Sequence, residues 1–281
     1  MKRFILILAM VSTVLSMSAQ LFWRVSGNRL EKDSYIFGTA HNAPISMIDE
    51  VPGLNDAIQN CDVAIGEIDK NDQSAPELSM ADMMVPTDST LDKLLSPEDY
   101  RIVEETVNKY IEHLGVSMDQ FRLLKPSMIR ILALDNDPSA RSDTANNGEK
   151  FDLVILERAA AAGHSTMGFE TEADHIEWLI KAPIKDQARW LLSMCKNHDN
   201  WEASDEEYIS QDATVQFESR VKDEGYREIF VYQRNRNWAE KLDQMMPEQS
   251  CLVCVGAAHL SGEKGLIQLL RDRGYTVEPV K

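Results

Sequence analysis

The sequence predicts an α/β fold, with a central mixed sheet built from strands at both chain ends, flanked by helices, and a largely helical middle region. Three observations support this prediction. Short apolar runs of strand length stand near the N-terminus and return near the C-terminus. Helical periodicity fills most of the interval between them. No linker rich in Pro, Gly or Ser divides the chain, so residues 20–281 are predicted to form a single domain.

The N-terminal part is predicted to contribute strands on either side of a helix. The runs LFWRVS and SYIFGTAH, residues 21–26 and 34–41, have strand character and are separated by a turn-like connection. Residues 48–60 have the pattern of one amphipathic helix. The run CDVAIGEID, residues 61–69, reads as a short buried strand that leads into a polar loop over residues 70–78.

Helices dominate the middle of the chain. Residues 96–115 carry the clearest helix pattern, with a Ser cap, Pro at the next position, acidic residues in the first turn and Gly115 at the end. Helical periodicity continues over residues 118–134, and residues 136–150 form a polar loop. The remaining elements are predicted as a helix over 151–164, a strand over 165–171, helices over 172–195 and 204–246, a strand over 250–259, a helix over 263–274 and a strand over 276–280.

The first residues have the layout of a secretory signal peptide. Lys2 and Arg3 precede an apolar run over residues 4–15, and small residues lead to Ala19. We therefore expect residues 1–19 to be removed and the mature protein to be exported. No later stretch approaches the roughly 18 apolar residues of a membrane span, so no stable membrane anchor is expected after signal removal. A periplasmic location is favoured where the cell has two membranes.

Charge and cysteine content narrow the partners and the chemistry. A formal net charge of −17 repels the phosphates of nucleic acids and anionic membranes, so neither is an expected partner. The chain has four cysteines, too few for a disulfide scaffold at this length. Cys251 and Cys254 form a CxxC, but it lies within an apolar strand-like run, so both are predicted to be buried core residues rather than a redox pair.

Two Gly-x-x-His motifs, at residues 38–41 and 256–259, follow apolar strands at opposite ends of the chain. Glu67 and Glu170 stand at the ends of two further predicted strands. Open α/β sheets place ligand sites at the carboxyl ends of their strands. Imidazole and carboxylate groups together are ordinary ligands for Zn²⁺ or Mn²⁺, so the pattern indicates a hydrolytic metal site. The glycine of each motif permits close backbone packing or an unusual φ/ψ at the turn.

The chain resembles the TraB/GumN family, which is related to the membrane-anchored Tiki metalloproteases. The matching segments cover most of the mature chain and read FWRVSGNRLEKDSYIFGTAHNAP, CDVAIGEID, LKPSMIRILAL, EKFDLVILERAAAAGHSTMGFETEADHIEWL, QRNRNWAEKL and VGAAHLSGEKGLIQLLRDRGYTVEPV. The resemblance implies an architecture like that of ChaN and the erythromycin esterases. It also implies a metal-dependent hydrolase, with peptide cleavage in the Tiki branch. Tiki proteins are anchored to a membrane, whereas no anchor is predicted for this chain after signal removal. The resemblance therefore supports the fold more directly than it supports proteolysis.

The resemblance also implies roles for individual residues. The two motif histidines would be His41 and His259, and the strand-end glutamates Glu67 and Glu170. The remaining family positions would be Asp152 and the Arg-Asn pair on the helix ahead of the last strand, Arg234 and Asn235. Asp152 and Asn235 would be substrate-binding or structural residues.

A mechanism follows as a hypothesis. His41, His259 and one or both glutamates would hold a divalent ion (Mn, Zn or Co), and the other glutamate would act as general base on a peptide or protein substrate. Arg234 would bind a substrate carbonyl or the oxyanion. The sequence leaves open which glutamate is ligand and which is base.

Several alternatives stay open. Glu67 and Glu170 could pair with Arg234 and Arg236 as a structural salt-bridge cluster, and Asp152 could cap a helix. Tryptophans at helical positions, Trp178 and Trp238 among them, read as helix-packing residues. The same cleft could bind a metal complex, haem or a peptide without catalysis, or it could act as a metal-free esterase. The chain has no H-E-x-x-H, which disfavours a zincin-type protease.

Overall fold

A computed structural model describes residues 21–40, 43–72, 74, 78–134, 150–197, 208 and 222–280. His41 and the predicted signal peptide lie outside these residues. None of the helices in the described ranges is long and apolar enough to cross a bilayer.

A six-stranded mixed sheet forms the centre of the fold, as predicted. Its order is β4-β3-β5-β2-β1-β6. The neighbours β4, β3, β5 and β2 run parallel, while β1 is antiparallel to both β2 and β6. The first and last strands therefore pair directly, with Val25 opposite Val277. The strands are β1 Phe22–Ser26, β2 Ser34–Thr39, β3 Val63–Ile68, β4 Ser165–Glu170, β5 Cys251–Gly256 and β6 Thr276–Pro279.

Helices flank the sheet and fill the middle of the chain. They are α1 Met47–Glu50, α2 Leu54–Asn60, α3 Met80–Met83, α4 Leu91–Leu94, α5 Pro97–Ile111, α6 Pro126–Ile129, α7 Phe151–Ala161, α8 Glu172–Lys181, α9 Ile184–Lys196, α10 Glu224–Arg227, α11 Arg234–Met245 and α12 Leu266–Asp272. A π-helical turn, Glu228–Gln233, joins α10 to α11, and a second, Arg130–Leu134, follows α6. The predicted Ser cap of α5 is confirmed, since the Ser96 side chain accepts a hydrogen bond from the Asp99 N–H.

Four segments predicted to be helical contain breaks, and the prediction of one helix over residues 48–60 is wrong. Residues 48–60 form two helices, residues 118–134 form a 3₁₀ turn followed by α6 and a π-helical turn, and residues 172–195 divide into α8 and α9. In the segment 204–246, Lys222 and Asp223 are not helical, and residues 204–207 and 209–221 lie outside the described ranges. In the first three segments a break falls at a residue before proline: Val51 (ψ 114°), Lys125 (ψ 144°) and Ala182 (ψ 149°) have non-helical ψ values. The proline ring clashes with a helical conformation of the residue before it, which forces these ψ values.

Apolar clusters cover both faces of the sheet, because successive strand residues point to opposite faces. On one face Leu252 and Cys254 pack with α2 and α7. On the other, Val253 and Val255 pack with α11 and α12. A third cluster lies among the helices of the middle region, including α5 and α9.

The described cysteines are free and buried, which confirms the prediction that Cys251 and Cys254 are core residues. Burial raises the pKa of the Cys251 thiol to about 12 and that of Cys61 to about 11. Such thiols stay protonated at neutral pH and are poor nucleophiles.

Gly168 in β4 marks a close approach between two strands. A Cβ there would lie 1.9 Å from the Asp69 backbone nitrogen and 2.3 Å from the Ile68 carbonyl carbon. Its partner across the ladder is Gly66. A Cβ on Gly66 would meet the side chain of Leu156 at 2.9 Å, and a leucine methyl can move aside.

We expect Gly168→Ala to lower the free energy of unfolding by about 3 kcal/mol, because backbone must shift, and Gly66→Ala to lower it by about 1 kcal/mol. Urea denaturation of both variants checks this. Equal losses would show that the backbone approach at Gly168 is not the constraint.

Candidate active site

Polar side chains meet at the carboxyl edge of the parallel strands. Glu170 is the last residue of β4, Glu67 is the penultimate residue of β3, and His259 lies in a short 3₁₀ turn after β5. Arg234 and Asn235 begin α11 and reach the same place. The structure therefore brings together the predicted site residues of the described ranges, apart from Asp152. His41 lies outside those ranges, although β2, which leads to it, runs beside β5.

Arg234 holds the two glutamates together. Its Nε donates to Glu170 Oε2 at 2.8 Å and Oε1 at 3.1 Å, and its Nη2 donates to Glu67 Oε2 at 2.8 Å. Its Nη1 donates to the Phe230 carbonyl at 3.2 Å. Burial opposes the charge on Arg234, but the two carboxylates outweigh it and raise the pKa of the guanidinium. The site therefore contains a permanent buried cation between two acids.

Glu170 is the more enclosed of the two acids. Its side chain is 7% exposed, compared with 18% for Glu67. Trp238 Nε1 donates to Glu170 Oε1 at 2.7 Å, in addition to the two bonds from Arg234. Burial raises the pKa of Glu170, and the interactions with Arg234 and Trp238 oppose that rise. Both oxygens of Glu170 are thus engaged within the protein.

Glu67 faces the histidine. The Gly256 N–H donates to Glu67 Oε1 at 2.7 Å, and the same oxygen lies 3.8 Å from His259 Nε2. The carboxylate is therefore held from two sides while one oxygen is turned toward the imidazole.

Asn235 fixes the tautomer of His259. Its amide nitrogen donates to the carbonyls of His259 (3.1 Å) and Lys264 (2.9 Å), so its oxygen must be the atom 2.7 Å from His259 Nδ1. An oxygen only accepts, which places the proton on Nδ1 and leaves a lone pair on Nε2. Burial lowers the pKa of His259 to about 4. The ring is therefore neutral at pH 7, with Nε2 facing Glu67 and, at 3.5 Å, Arg234 Nη1.

Trp238 contributes more than helix packing. It is fully buried, as predicted for a core residue, but its ring also lies 4.5 Å from the His259 ring and 4.6 Å from Arg234 Cζ. Neither this role nor that of the Gly256 N–H is predicted from the sequence. The spacing of four residues from Arg234 was the available signal for Trp238, because residues at i and i+4 share a helix face. The Gly256 N–H is a backbone donor, so no side-chain type in the sequence indicates it.

The glycine of the first motif permits close packing, one of the two roles proposed for it. A Cβ on Gly38 would lie 2.5 Å from Leu260 Cδ1 and 3.2 Å from Ala257 Cα. The missing side chain lets the turn that carries His259 lie directly on β2.

Two alternative assignments change with the structure. Among the described residues, Arg234 pairs with both glutamates, whereas Arg236 is half exposed and pairs with Glu228 at 2.7 Å. Asp152 is not the N-cap of α7, because Lys150 occupies that position. It lies in the first turn of α7, on the sheet face that carries Cys254 and opposite the face of Trp238. Burial raises the pKa of the Cys254 thiol, and the charge of Asp152 raises it further.

The donor set allows a partial test of the predicted metal site. In the described part of the chain, no three His, Cys, Asp or Glu side chains are placed to hold one ion. His259 and Glu67 supply two adjacent donors, and the predicted third ligand, His41, lies outside those residues.

The fold and this cluster define an α/β protein whose parallel strands end in a largely buried Glu-Arg-Glu triad beside a neutral histidine. The sequence profile of the TraB/PrgY/gumN family matches residues 21–279. The chain belongs to this family. Comparisons with curated proteins and with solved structures gave no match.

The depressed pKa of His259 predicts a pH-dependent loss of stability. Between its ordinary pKa of 6.5 and about 4, the unfolded chain binds a proton that the folded chain excludes, so stability falls as pH falls through this window. In metal-free protein, we expect the stability of the wild type relative to His259→Asn to drop by about 3 kcal/mol between pH 7 and pH 4. Urea titrations at several pH values measure it. A difference that does not change with pH would mean that folding leaves this histidine unperturbed.

Proposed function

We propose that this family member is an exported, metal-dependent hydrolase of peptides, with Glu67 and His259 as its reacting pair. The observation that supports this most is the neutral imidazole with fixed tautomer, whose Nε2 faces a carboxylate oxygen at 3.8 Å. Export rests on the predicted signal peptide over residues 1–19.

The contacts of the two glutamates support different roles for them. Glu67 is the more exposed and has an oxygen turned toward His259, so we assign it as the general base. It would take a proton from the attacking water and pass it to the leaving amine. Glu170 accepts three hydrogen bonds from Arg234 and Trp238, which suits a residue that positions Arg234.

His259 fits as a ligand of a divalent cation, with His41 as the second predicted ligand, while Glu67 is kept as the base 3.8 Å from His259 Nε2. A metal-ligating histidine commonly donates its other ring N–H to an oxygen that fixes its orientation, and the Asn235 oxygen accepts this bond from His259. The cation, when bound, would supply Lewis-acid activation of water. Glu170 does not fit as a ligand, because both of its oxygens are already engaged.

Arg234 would stabilise the negative charge that develops during the reaction. It remains a cation because its pKa is raised, and its Nη1 lies 3.5 Å from His259 Nε2. A preorganised guanidinium beside the reacting pair would stabilise the oxyanion that forms on attack at a carbonyl.

One observation favours a second candidate, a metal-free hydrolase of the esterase type. Arg234 pairs with both Glu67 and Glu170 and offsets one of their two negative charges, so each carboxylate already has a cationic partner without a metal. His259 and Glu67 could then act as an acid–base pair. A binding protein for a metal complex, haem or peptide would use the same cleft without cleavage.

Elemental analysis separates these candidates. We expect untagged protein, residues 20–281, purified without chelators, to hold near-stoichiometric Mn, Zn or Co, and the variant with both His41 and His259 changed to Ala to lose it. His164→Ala, at an exposed histidine on the Gln59 carbonyl, serves as the control and should retain the metal. If neither the wild type nor the variant holds metal after incubation with each ion, the metal-dependent proposal fails and the metal-free candidate leads.

Cleavage of a peptide library tests the assignment of the base. With a peptide that the wild type cleaves, Glu67→Gln should reduce kcat/KM by about 100-fold or more, the usual contribution of a general base. Glutamine keeps an oxygen for the Gly256 N–H, so the backbone contact survives. The control Glu228→Gln removes an exposed glutamate paired with Arg236 and should leave cleavage unchanged. Full activity in Glu67→Gln would remove Glu67 from the mechanism.

A further inference from the structure

A cavity of about 370 Å³, open to solvent, lies between α8 and α11 and borders the candidate active site. Glu170 and Trp238 belong to both places, since they line the cavity and also contact Arg234 or His259. Other walls come from Trp178 and Asp174 on α8 and from Glu240 on α11. The volume is near the lower end of small-molecule pockets, about 300 Å³, so it suits one side chain rather than a large cofactor.

The cavity carries the chemistry of a cation site. Asp174 and Glu240 are exposed at its rim, on two different helices. Lys241 also lines the cavity, but its ammonium donates to the Phe169 carbonyl. The Glu170 charge is already matched by Arg234. Asp174 and Glu240 carry two negative charges and Lys241 carries one positive charge. These charges make the rim net negative, which favours a cation.

The aromatic wall adds to this preference. The Trp238 ring stacks on Phe169, with centroids 5.1 Å apart, and lies against His259. Trp178 is only partly buried, so its indole offers surface to an occupant. An ammonium or guanidinium group over an indole face gains a cation–π interaction in addition to the attraction of the carboxylates.

We propose that this cavity is the subsite for a lysine or arginine side chain of the substrate, an inference that rests on the proposed peptide hydrolysis. The apolar stem of such a side chain would lie along Trp178 and its charge near Asp174 and Glu240. The occupant is recognised by charge and length together, because a neutral side chain of the same length lacks partners at the rim.

Binding of small probes tests the subsite independently of catalysis. We expect Nα-acetyl-lysine amide, followed by NMR or by tryptophan fluorescence, to bind about tenfold more tightly than the uncharged Nα-acetyl-norleucine amide, from one ion pair and one cation–π contact. The double variant Asp174→Asn, Glu240→Gln should remove this preference. Asparagine at position 174 keeps a side-chain oxygen that can accept the hydrogen bond from the Thr171 N–H in the capping box at the start of α8. Glu248→Gln, an exposed residue after α11, is the matched control and should keep the preference.

Equal binding of the lysine and norleucine probes would overturn the proposal. Tighter binding of Nα-acetyl-glutamate amide would also overturn it, and would assign recognition to Lys241.

Cleavage assays separate this inference from the proposed function. If peptides with lysine and with norleucine are cleaved equally well at every position, the subsite falls and the hydrolase stands. If no peptide is cleaved but the lysine probe keeps its preference, the hydrolase falls while the cation site remains.

Discussion

The ion-pair triad Glu67-Arg234-Glu170, in which Arg234 and Glu170 are buried and Glu67 is partly buried, is the interaction on which the rest of the site depends. It ties β3, β4 and α11 together at one edge of the sheet, from residues far apart in the chain. Removing one partner of a buried pair leaves an uncompensated charge and costs about 3–5 kcal/mol. The triad is therefore expected to fix the geometry around His259 as well as the local stability. Phe230, in the π-helical turn before α11, adds its carbonyl to the same guanidinium, and such turns are frequent at functional sites.

The same triad restricts the chemistry. Arg234 contacts both oxygens of Glu170 but contacts Glu67 through Oε2, so the two acids are not equivalent. Their contacts divide the roles that the sequence left open: Glu67, with an oxygen toward His259, faces the reacting side, while Glu170 and Trp238 form the wall between the triad and the cavity of α8 and α11. The Trp238 indole would separate an occupant of that cavity from the His259 imidazole. Substrate recognition and reaction would thus share Trp238 as a common wall.

The fold was largely predictable because its signals are local. Apolar runs gave all six strands of the sheet, and the Ser96 cap with Pro97 gave the start of α5. Three of the helix breaks share one local cause, the non-helical residues Val51, Lys125 and Ala182 before prolines. Periodicity continues across such a break, so a reading by hydrophobic pattern alone joins the two helices. The restriction on the residue before proline was visible in the sequence and outweighs the pattern.

The sequence by itself determined the strand ends and the chemical groups placed on them, because a strand-length apolar run followed by a polar residue is a local property. It did not determine which groups touch. That Arg234 rather than Arg236 takes both glutamates, that Asn235 sets the tautomer of His259, and that Asp152 stands on the opposite face all depend on how α7 and α11 pack on the sheet. The backbone donor at Gly256 is likewise a product of strand register. Only the tertiary structure decided these contacts, because they join residues whose separation along the chain carries no information about their distance in space.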